Sequence, residues 1–550
     1  MFAKPATLTL TIMLFLGIGL TPLMALLVSS LSVDGAFSLD RYQYLWSSPK
    51  PLQLFGHSLL LAGLTTLIVT VLGVPLGILF GKCDLPWRTP FLVLFTLPLL
   101  IPPYFLSLGW FSLLGREGWL VRFFPDNPAG QPDCTVKPPE GCWAGIAQHE
   151  SEAVARILAD LLFGLPGCAL TLSTVFLPLI ILVTAMLLQT VNPHMEEAAR
   201  LYASWRRVLF YITLPAIFPG ILFMTLLVFM LTLGEVTVPL YLRYDAYPTE
   251  ILTQFAAFYD FDSATATASP LALLAFLMLT AEWLGRRRAM PDLRPTETSL
   301  MIQSGLCGKL AVIIASGLAL VIVVMPLGAL GLYASLDDFS EAWTRGYDAL
   351  LRSLLYAAIG ASLLTVTGFF LGLLWRERTC CSGITQFTAL LLLILPGTVL
   401  GIGLIGLWNK PETAWFYASP GILIMGYVIQ YAALPGGILH AALTRLPPSL
   451  EQAAALSGAG WWRRLLLIVL PLSWRGLLLA WLVSYLFCLR DTGLAMLVYP
   501  PGEDTLPVRI YTLMANSRFG LVAALCTLLM VAALSPLAIF GLFRKRKESP

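Results

Sequence analysis

Acidic side chains inside an apolar chain are the residues here most able to do chemistry, and two of them stand in matching places. Glu235, in "LTLGEVTVP", and Asp491, in "FCLRDTGLA", each lie 20 residues beyond a proline, Pro215 and Pro471, that closes a similar segment. A carboxylate in a membrane helix is costly to hold and marks a solute path by default. Near the outer end of their helices the pair would attract a cation at an outward gate; the plainer alternative is that each caps or hydrates a helix end, with Arg490 pairing nearby. Pro102 and Pro396, with Pro98, Pro103 and Gly397 beside them, interrupt two further apolar runs, and a broken helix either lines a pathway or is kinked for packing. Other chemistry is poorly provided for. Four scattered histidines (His57, His149, His194, His440) form no metal-ligand pattern, and neither Gly81-Lys82 nor Gly308-Lys309 completes a phosphate-binding loop. H-E-x-x-H and G-x-S-x-G are also missing, so neither cofactor nor catalytic activity is expected.

The elements that must position these residues are membrane helices. The chain has 550 residues, 58% of them hydrophobic and 12% charged, with a mean hydropathy of +0.81, which excludes a soluble globular domain. A span needs about 20 mainly apolar residues. Twelve are predicted, near 7–31, 57–80, 90–114, 165–189, 217–241 and 266–285 and near 307–334, 351–375, 386–407, 419–443, 475–499 and 520–543. The first is too long for the apolar part of a cleaved signal peptide and is kept as a span. With the N-terminus inside, 21 of the 34 Lys and Arg residues face the cytoplasm, so both termini are expected there. The net charge of +3 follows this topology and gives no reason to expect nucleic acid. Cys134 and Cys142 flank "TVKPPEG" in the long outer loop, where an oxidising periplasm allows a disulfide, with two free thiols as the alternative.

The chain repeats itself. "HSLLLAGLTTLIVTVLG" (57–73) and "RSLLYAAIGASLLTVTG" (352–368) agree at seven of seventeen positions with an offset of 295, whereas Glu196 and Glu451 are 255 apart. The difference places about 40 extra residues in the first half, in an outer insertion near 115–164. The fold expected is all-α and polytopic, with two homologous six-helix halves of parallel orientation and a pathway between them. The expected layout is a first span and outer loop (1–56), a first transport domain (57–285), a cytoplasmic linker (286–305), a seventh span and loop (306–350), a second transport domain (351–543) and a basic tail (544–550).

Between the fourth and fifth spans of each half lies a polar segment, "NPHMEEAARLYASWRRVLFYITLP" and "PPSLEQAAALSGAGWWRRLLLIVLP". Asn192 before Pro193, and Ser449 with Gln452, read as helix starts, and Glu196, Glu197 and Glu451 fall in the first turn where the helix dipole favours acids. Ala198/Ala199 and Ala453/Ala454 leave one face thin enough for close packing, and Gly458 permits a bend. The tryptophans and arginines that follow suit an interfacial helix lying on lipid.

The spacing resembles the signature loop of binding-protein-dependent ABC importer permeases: E-A-A, three residues, G, nine residues, I-x-L-P. Gln452, Ala453, Ala454, Gly458, Ile468, Leu470 and Pro471 occupy it in the second copy. Glu196 or Glu197, Ala198, Ala199, Ile212, Leu214 and Pro215 do so in the first, which is one residue shorter and lacks the glycine. "LRDTGLAMLVYPPGEDTLPVRIY" (489–511) is further similar to the fused permeases for ferric iron and their thiamine and phosphonate relatives, through Arg490, Asp491, Leu497, Pro500, Pro501, Gly502, Asp504, Thr505 and Leu506. The resemblance implies a type I importer permease in a bacterial inner membrane. It implies a periplasmic solute-binding protein and two cytoplasmic ATP-binding subunits as partners, the latter docked on the twin loops. The competing reading is an ion-gradient-driven carrier of two six-helix halves, to which "GKCDLPWR" (81–88) bears a faint likeness.

Overall fold

The computed structural model describes residues 3–33, 36–85, 87–115, 118, 157–258, 261–289, 306–377 and 379–548. Cys134, Cys142 and most of the expected outer insertion lie outside the described residues, as do residues 290–305 of the connector. Among the described residues the strands are one antiparallel pair, Ser32–Val33 with Ala36–Phe37; the rest of the ordered backbone is helical, as lipid requires of a chain that cannot leave its N–H and C=O groups bare.

Among the described residues eight helices are long and apolar enough to cross a membrane: Lys4–Ser30, Pro49–Lys82, Leu165–Leu188, Trp205–Leu233, Phe261–Gly285, Val312–Tyr333, Leu336–Arg376 and Phe519–Pro536. Four bent pairs add to them: Arg88–Leu100 with Pro103–Leu114, Cys380–Ile394 with Gly397–Trp408, Gly421–Tyr431 with Ala433–Thr444, and Trp461–Leu472 with Trp474–Arg490. With each pair counted as one span, the total is the twelve expected, six before residue 290 and six after it.

Three spans differ most from expectation. The fifth span runs Trp205–Leu233 rather than 217–241, and the eleventh ends at Arg490 rather than 499. In both, the acid just past the helix end captures backbone N–H groups ahead of it, those of Thr237 for Glu235 and of Leu494 and Ala495 for Asp491, which starts a separate short helix. The eighth span starts at Leu336 rather than 351, because Ser335 and Asp338 form a reciprocal capping box that begins the helix outside the apolar run.

Wide π turns occupy Leu209–Thr213, Leu320–Val324 and Leu465–Val469. Each ends two residues before a proline, Pro215, Pro326 or Pro471. Proline has no N–H to return and its ring crowds the carbonyl four residues back, so an extra residue in the preceding turn lets the helix pass it without breaking. The I-x-L-P part is therefore a helix-passing device in the fifth span, whereas the eleventh bends by 72° just beyond Pro471.

The leading span of each half packs on the opposite half. Lys4–Ser30 lies against Gly397–Trp408, and Met325–Tyr333 lies against Pro103–Leu114. The closest approaches correspond: a Cβ on Gly403 would sit 2.6 Å from the Pro22 carbonyl oxygen, and one on Gly109 would sit 2.5 Å from that of Pro326. Gly109→Ala and Gly403→Ala are each expected to destabilise the protein by about 1–3 kcal/mol through overpacking. Gly17→Ala, whose new carbon meets nothing within 4 Å, is expected to be neutral or slightly stabilising. Thermal unfolding in detergent compares them.

Candidate functional site

The third and ninth spans break in the same way. Pro102 (φ −55°, ψ 138°) and Pro396 (φ −53°, ψ 137°) leave the helical region and restart a helix at the next residue, with bends of 103° and 105°. The carbonyl of Leu99, freed near the first break, accepts a hydrogen bond from Arg490 Nη1, and the Arg490 guanidinium lies 4.5 Å from the centre of the Phe487 ring. Between the broken spans is a cavity of about 160 Å³. Its polar lining includes Glu235, Asp491, Arg490, Gln430, Tyr431 and Thr398. Glu235 and Asp491, 256 residues apart, thus face one space; Pro396 also lines it, and on the first side Pro103 does so in place of Pro102.

Both acids also serve as caps. Asp491 Oδ1 accepts from the N–H groups of Leu494 and Ala495, each at 3.1 Å, and Oδ2 accepts from Tyr431 OH at 2.5 Å. Glu235 Oε1 accepts from the Thr237 N–H at 3.1 Å and from its hydroxyl at 2.5 Å. Each acid thus lines the cavity and caps a short helix with the same side chain.

At one end of the bundle the second span of each half holds the segment that follows these acids. Ser58 Oγ accepts from the Tyr247 N–H, and Ser353 Oγ from the Leu506 N–H, both at 2.7 Å, and the serines stand at the repeat offset of 295. Their neighbours also correspond: His57 Nδ1 is 3.3 Å from the Asp245 carbonyl oxygen, and Arg352 Nε donates to that of Asp504 at 3.2 Å. The second half adds charge. Arg509 binds Asp504 and Asp348, each at 2.6 Å, and Arg352 binds the same two acids at 2.9 Å. Gly502, at φ 80°, makes the left-handed turn after Pro500-Pro501 that brings Asp504 into this cluster.

At the other end stand the twin loops. In the first, the helix Pro193–Arg200 starts as expected, with Asn192 Oδ1 accepting from the His194 N–H at 3.0 Å. Glu196 turns inward, fully buried, and accepts from Lys82 Nζ at 2.5 Å and Thr213 Oγ1 at 2.8 Å. In the second, the helix Pro448–Leu456 does not start at Ser449. Pro447 is its cap and Pro448 its first residue, because proline's fixed φ and absent donor suit that position; no side-chain cap forms and no capping box with Gln452 exists. Glu451 accepts from Arg376 Nη1 at 2.6 Å. Each loop is thus tied by its inward acid to the end of the second span of its own half.

The outward faces carry Glu197, Ala198, Gln452 and Ala453, all exposed, with Ala199 and Ala454 half-buried. Leu201 and Leu456, at matching positions, are 80% and 91% exposed. Gly458 (φ 82°) closes the second helix with its N–H on the Ala455 carbonyl at 3.0 Å. The first, one residue shorter, closes through the Ala203 N–H to Ala199 at 2.9 Å without a left-handed residue, so the glycine is dispensable there. Ile212 and Ile468 lie inside the π turns, and Leu214-Pro215 and Leu470-Pro471 directly follow them.

Lys82, Arg376, Ser58, Ser353, Gln430, Tyr431 and Thr398 were not singled out for these roles by sequence. Ser58 and Ser353 left a signal, as identities within the repeat. Lys82 stood in view only as a lysine lacking its phosphate loop.

An all-α bundle of twelve spans, with a polar cavity between two broken helices and a pair of polar loops at one end, defines a multi-pass membrane transport protein. Residues 73–289 match the family described as binding-protein-dependent transport system inner membrane component. The chain is 25% identical to the putative ferric transport system permease protein FbpB 1 of Haemophilus influenzae over 89% of its own length and 77% of that protein's. Against the ferric transport system permease protein FbpB of Actinobacillus pleuropneumoniae it is 23% identical, over 98% of its own length and 78% of that protein's. It is also 25% identical to the molybdenum transport system permease protein ModB of Escherichia coli, over 40% of this chain and 88% of that one. In its family match and in its near-full-length relatives the chain is thus similar to the permeases of binding-protein-dependent importers, and its apolar helices make it a multi-pass membrane protein.

Proposed function

We propose that this permease carries ferric iron, handed to it by a periplasmic binding protein and driven by two cytoplasmic ATPase subunits docked on the loops at 192–215 and 447–471. The observation that carries the docking part is the matched build of those loops: an inward acid tied to the bundle, and an outward face of small residues ending in an exposed leucine. The cargo follows from coverage, since the relatives aligned over nearly the whole chain are ferric permeases, whereas the molybdenum relative covers less than half of it. Both termini face the cytoplasm, residues 57–285 and 351–543 form the two transport halves, and residues 286–305 link them on the inner side. Lipid surrounds the bundle.

In this reading the second span of each half transmits the stroke. Helices of 34 and 41 residues are about 50 and 60 Å long, so each passes through the roughly 30 Å hydrocarbon layer and beyond. Lys82 and Arg376 hold the docking helices at one end, and Ser58 and Ser353 hold the segments leading from Glu235 and Asp491 at the other. Uptake assays test the proposal. Proteoliposomes containing the chain, its ATPase subunits and iron-loaded binding protein are expected to accumulate iron only with ATP. Uptake by the chain alone under a proton gradient would instead establish a carrier.

A further inference from the structure

We propose that the central cavity is a transit site for a bare, oxygen-seeking cation, with Glu235 as its free carboxylate, Gln430 and Thr398 as neutral oxygen donors, and Arg490 as the charge that keeps binding weak. The proposal rests on the permease reading above and locates within it where the cargo pauses.

The two acids are not equivalent. Asp491 is engaged through both oxygens by three donors and holds the wall of the cavity in place. Glu235 uses Oε1 alone, for Thr237; among the described residues its Oε2 accepts from no protein donor. A second observation is independent of the acids. Gln430 is 7% exposed and Thr398 1%, both line the cavity, and neither Gln430 Oε1 nor Thr398 Oγ1 has a hydrogen-bond partner among the described residues. A buried polar atom left unpaired costs about 1–3 kcal/mol, so two at one cavity mark a place built for something else to satisfy them.

The donor set selects the ligand. Carboxylate, amide carbonyl and hydroxyl oxygens suit hard cations, whereas softer metals favour the thiolate and imidazole groups that this lining lacks. About 160 Å³ accommodates a metal ion with a few waters, at roughly 30 Å³ each. Glu235 directly follows the fifth span, Thr398 lies in the ninth and Gln430 in the tenth, so the ion would be held between the halves and released when they part. A transit site must also let go. Arg490, fixed by the Leu99 carbonyl and the Phe487 ring, sets one positive charge against the two carboxylates.

Terbium(III), a hard luminescent trivalent ion, probes the site in the purified permease–ATPase complex. Saturable binding is expected, weakened about tenfold or more by Glu235→Gln and less by Gln430→Leu, and retained in Glu235→Asp. Arg490→Gln is expected to bind terbium more tightly while transporting iron more slowly. An unchanged thermal midpoint in Glu235→Gln separates lost binding from lost folding, and Glu235→Asp supplies the check if it does not fold. Equal binding by wild type and Glu235→Gln overturns the proposal. So does weakened binding in Arg490→Gln, the outcome expected if the cavity holds a zwitterion whose anionic end needs that guanidinium. Iron uptake driven by ATP without any terbium site would remove the transit site and leave the permease reading intact. A terbium site without ATP-driven uptake would do the reverse.

Discussion

Lys82→Met is expected to cost the folded protein about 3–5 kcal/mol, one of the two largest effects expected of a single substitution in this chain. Lys82 and Glu196 are 1% and 0% exposed and 2.5 Å apart, and the remaining Glu196 oxygen is held by Thr213. Removing the ammonium leaves a carboxylate in a dry site with one hydroxyl for company, and that stranded charge, rather than the loss of the pair, is the source of the penalty. Removing both charges should therefore recover most of the loss: Lys82→Met with Glu196→Leu is expected to be far closer to wild type than either single variant. The counterpart in the second half behaves differently. Arg376 and Glu451 remain 20% and 32% exposed, so water compensates whichever partner is left, and Arg376→Met is expected to cost about 1 kcal/mol or less. Unfolding midpoints of the four variants, read as a double-mutant cycle for the first pair, check this. A small loss in Lys82→Met would mean that the pair is hydrated in the membrane.

The same pair shows what the sequence could and could not convey. The spans were legible because apolar runs of sufficient length must become helices in lipid, and the breaks at Pro102 and Pro396 were legible because proline removes a donor wherever it stands. The repeat offset was legible as well, and it brought Glu235 and Asp491 into correspondence before any geometry was known. Helix ends were less so. Leu336–Arg376 begins well before its apolar run because a serine and an aspartate cap it, and the helix of the second loop begins at Pro448 because two adjacent prolines outweigh the attraction of Ser449 as a cap. Contacts across the fold were not legible at all. Lys82 and Glu196 are 114 residues apart, and no periodicity links them. Nor does spacing distinguish an acid with three donors, Asp491, from one with an oxygen to spare, Glu235; that depends on whether a tyrosine from another span reaches it.

These distinctions bear on how the halves divide the work. The first loop helix is bound to the second span of its half through a buried charge pair, the second through a partly hydrated one. The eleventh span bends by 72° between Leu472 and Trp474, whereas the fifth passes the corresponding point as one helix. In the first half a histidine holds the segment beyond the cavity acid, and in the second an arginine held by two aspartates does so. A chain that carries both halves can let each specialise: the repeat preserves the outline of the second span and its contacts while the residues that make them diverge.

Leu201→Asp and Leu456→Asp are expected to leave the isolated permease intact and to abolish ATP-driven uptake. At 80% and 91% exposure neither leucine contributes to the protein's own core, so unfolding midpoints should correspond to changes within about 0.5 kcal/mol. An apolar side chain so exposed at the same place in both loops is better explained by a partner that covers it, and truncating a buried interface anchor costs about 2–4 kcal/mol, or some 30- to 1,000-fold in affinity. A carboxylate there also takes a charge into the covered surface. Ala198→Arg and Ala453→Arg act by bulk on the adjoining exposed positions and are expected to release the ATPase subunits in the same way. The loops should not respond equally. The first offers Tyr202, 93% exposed, and the acid Glu197 beside its leucine; the second has Ser457 and Gln452 at those places. Retention of ATPase subunits by each single variant, measured by pull-down from membranes, is therefore expected to fall more for Leu456→Asp, whose loop has fewer other anchors to share the load. Retained subunits and normal uptake in both aspartate variants would mean that the ATPase docks elsewhere.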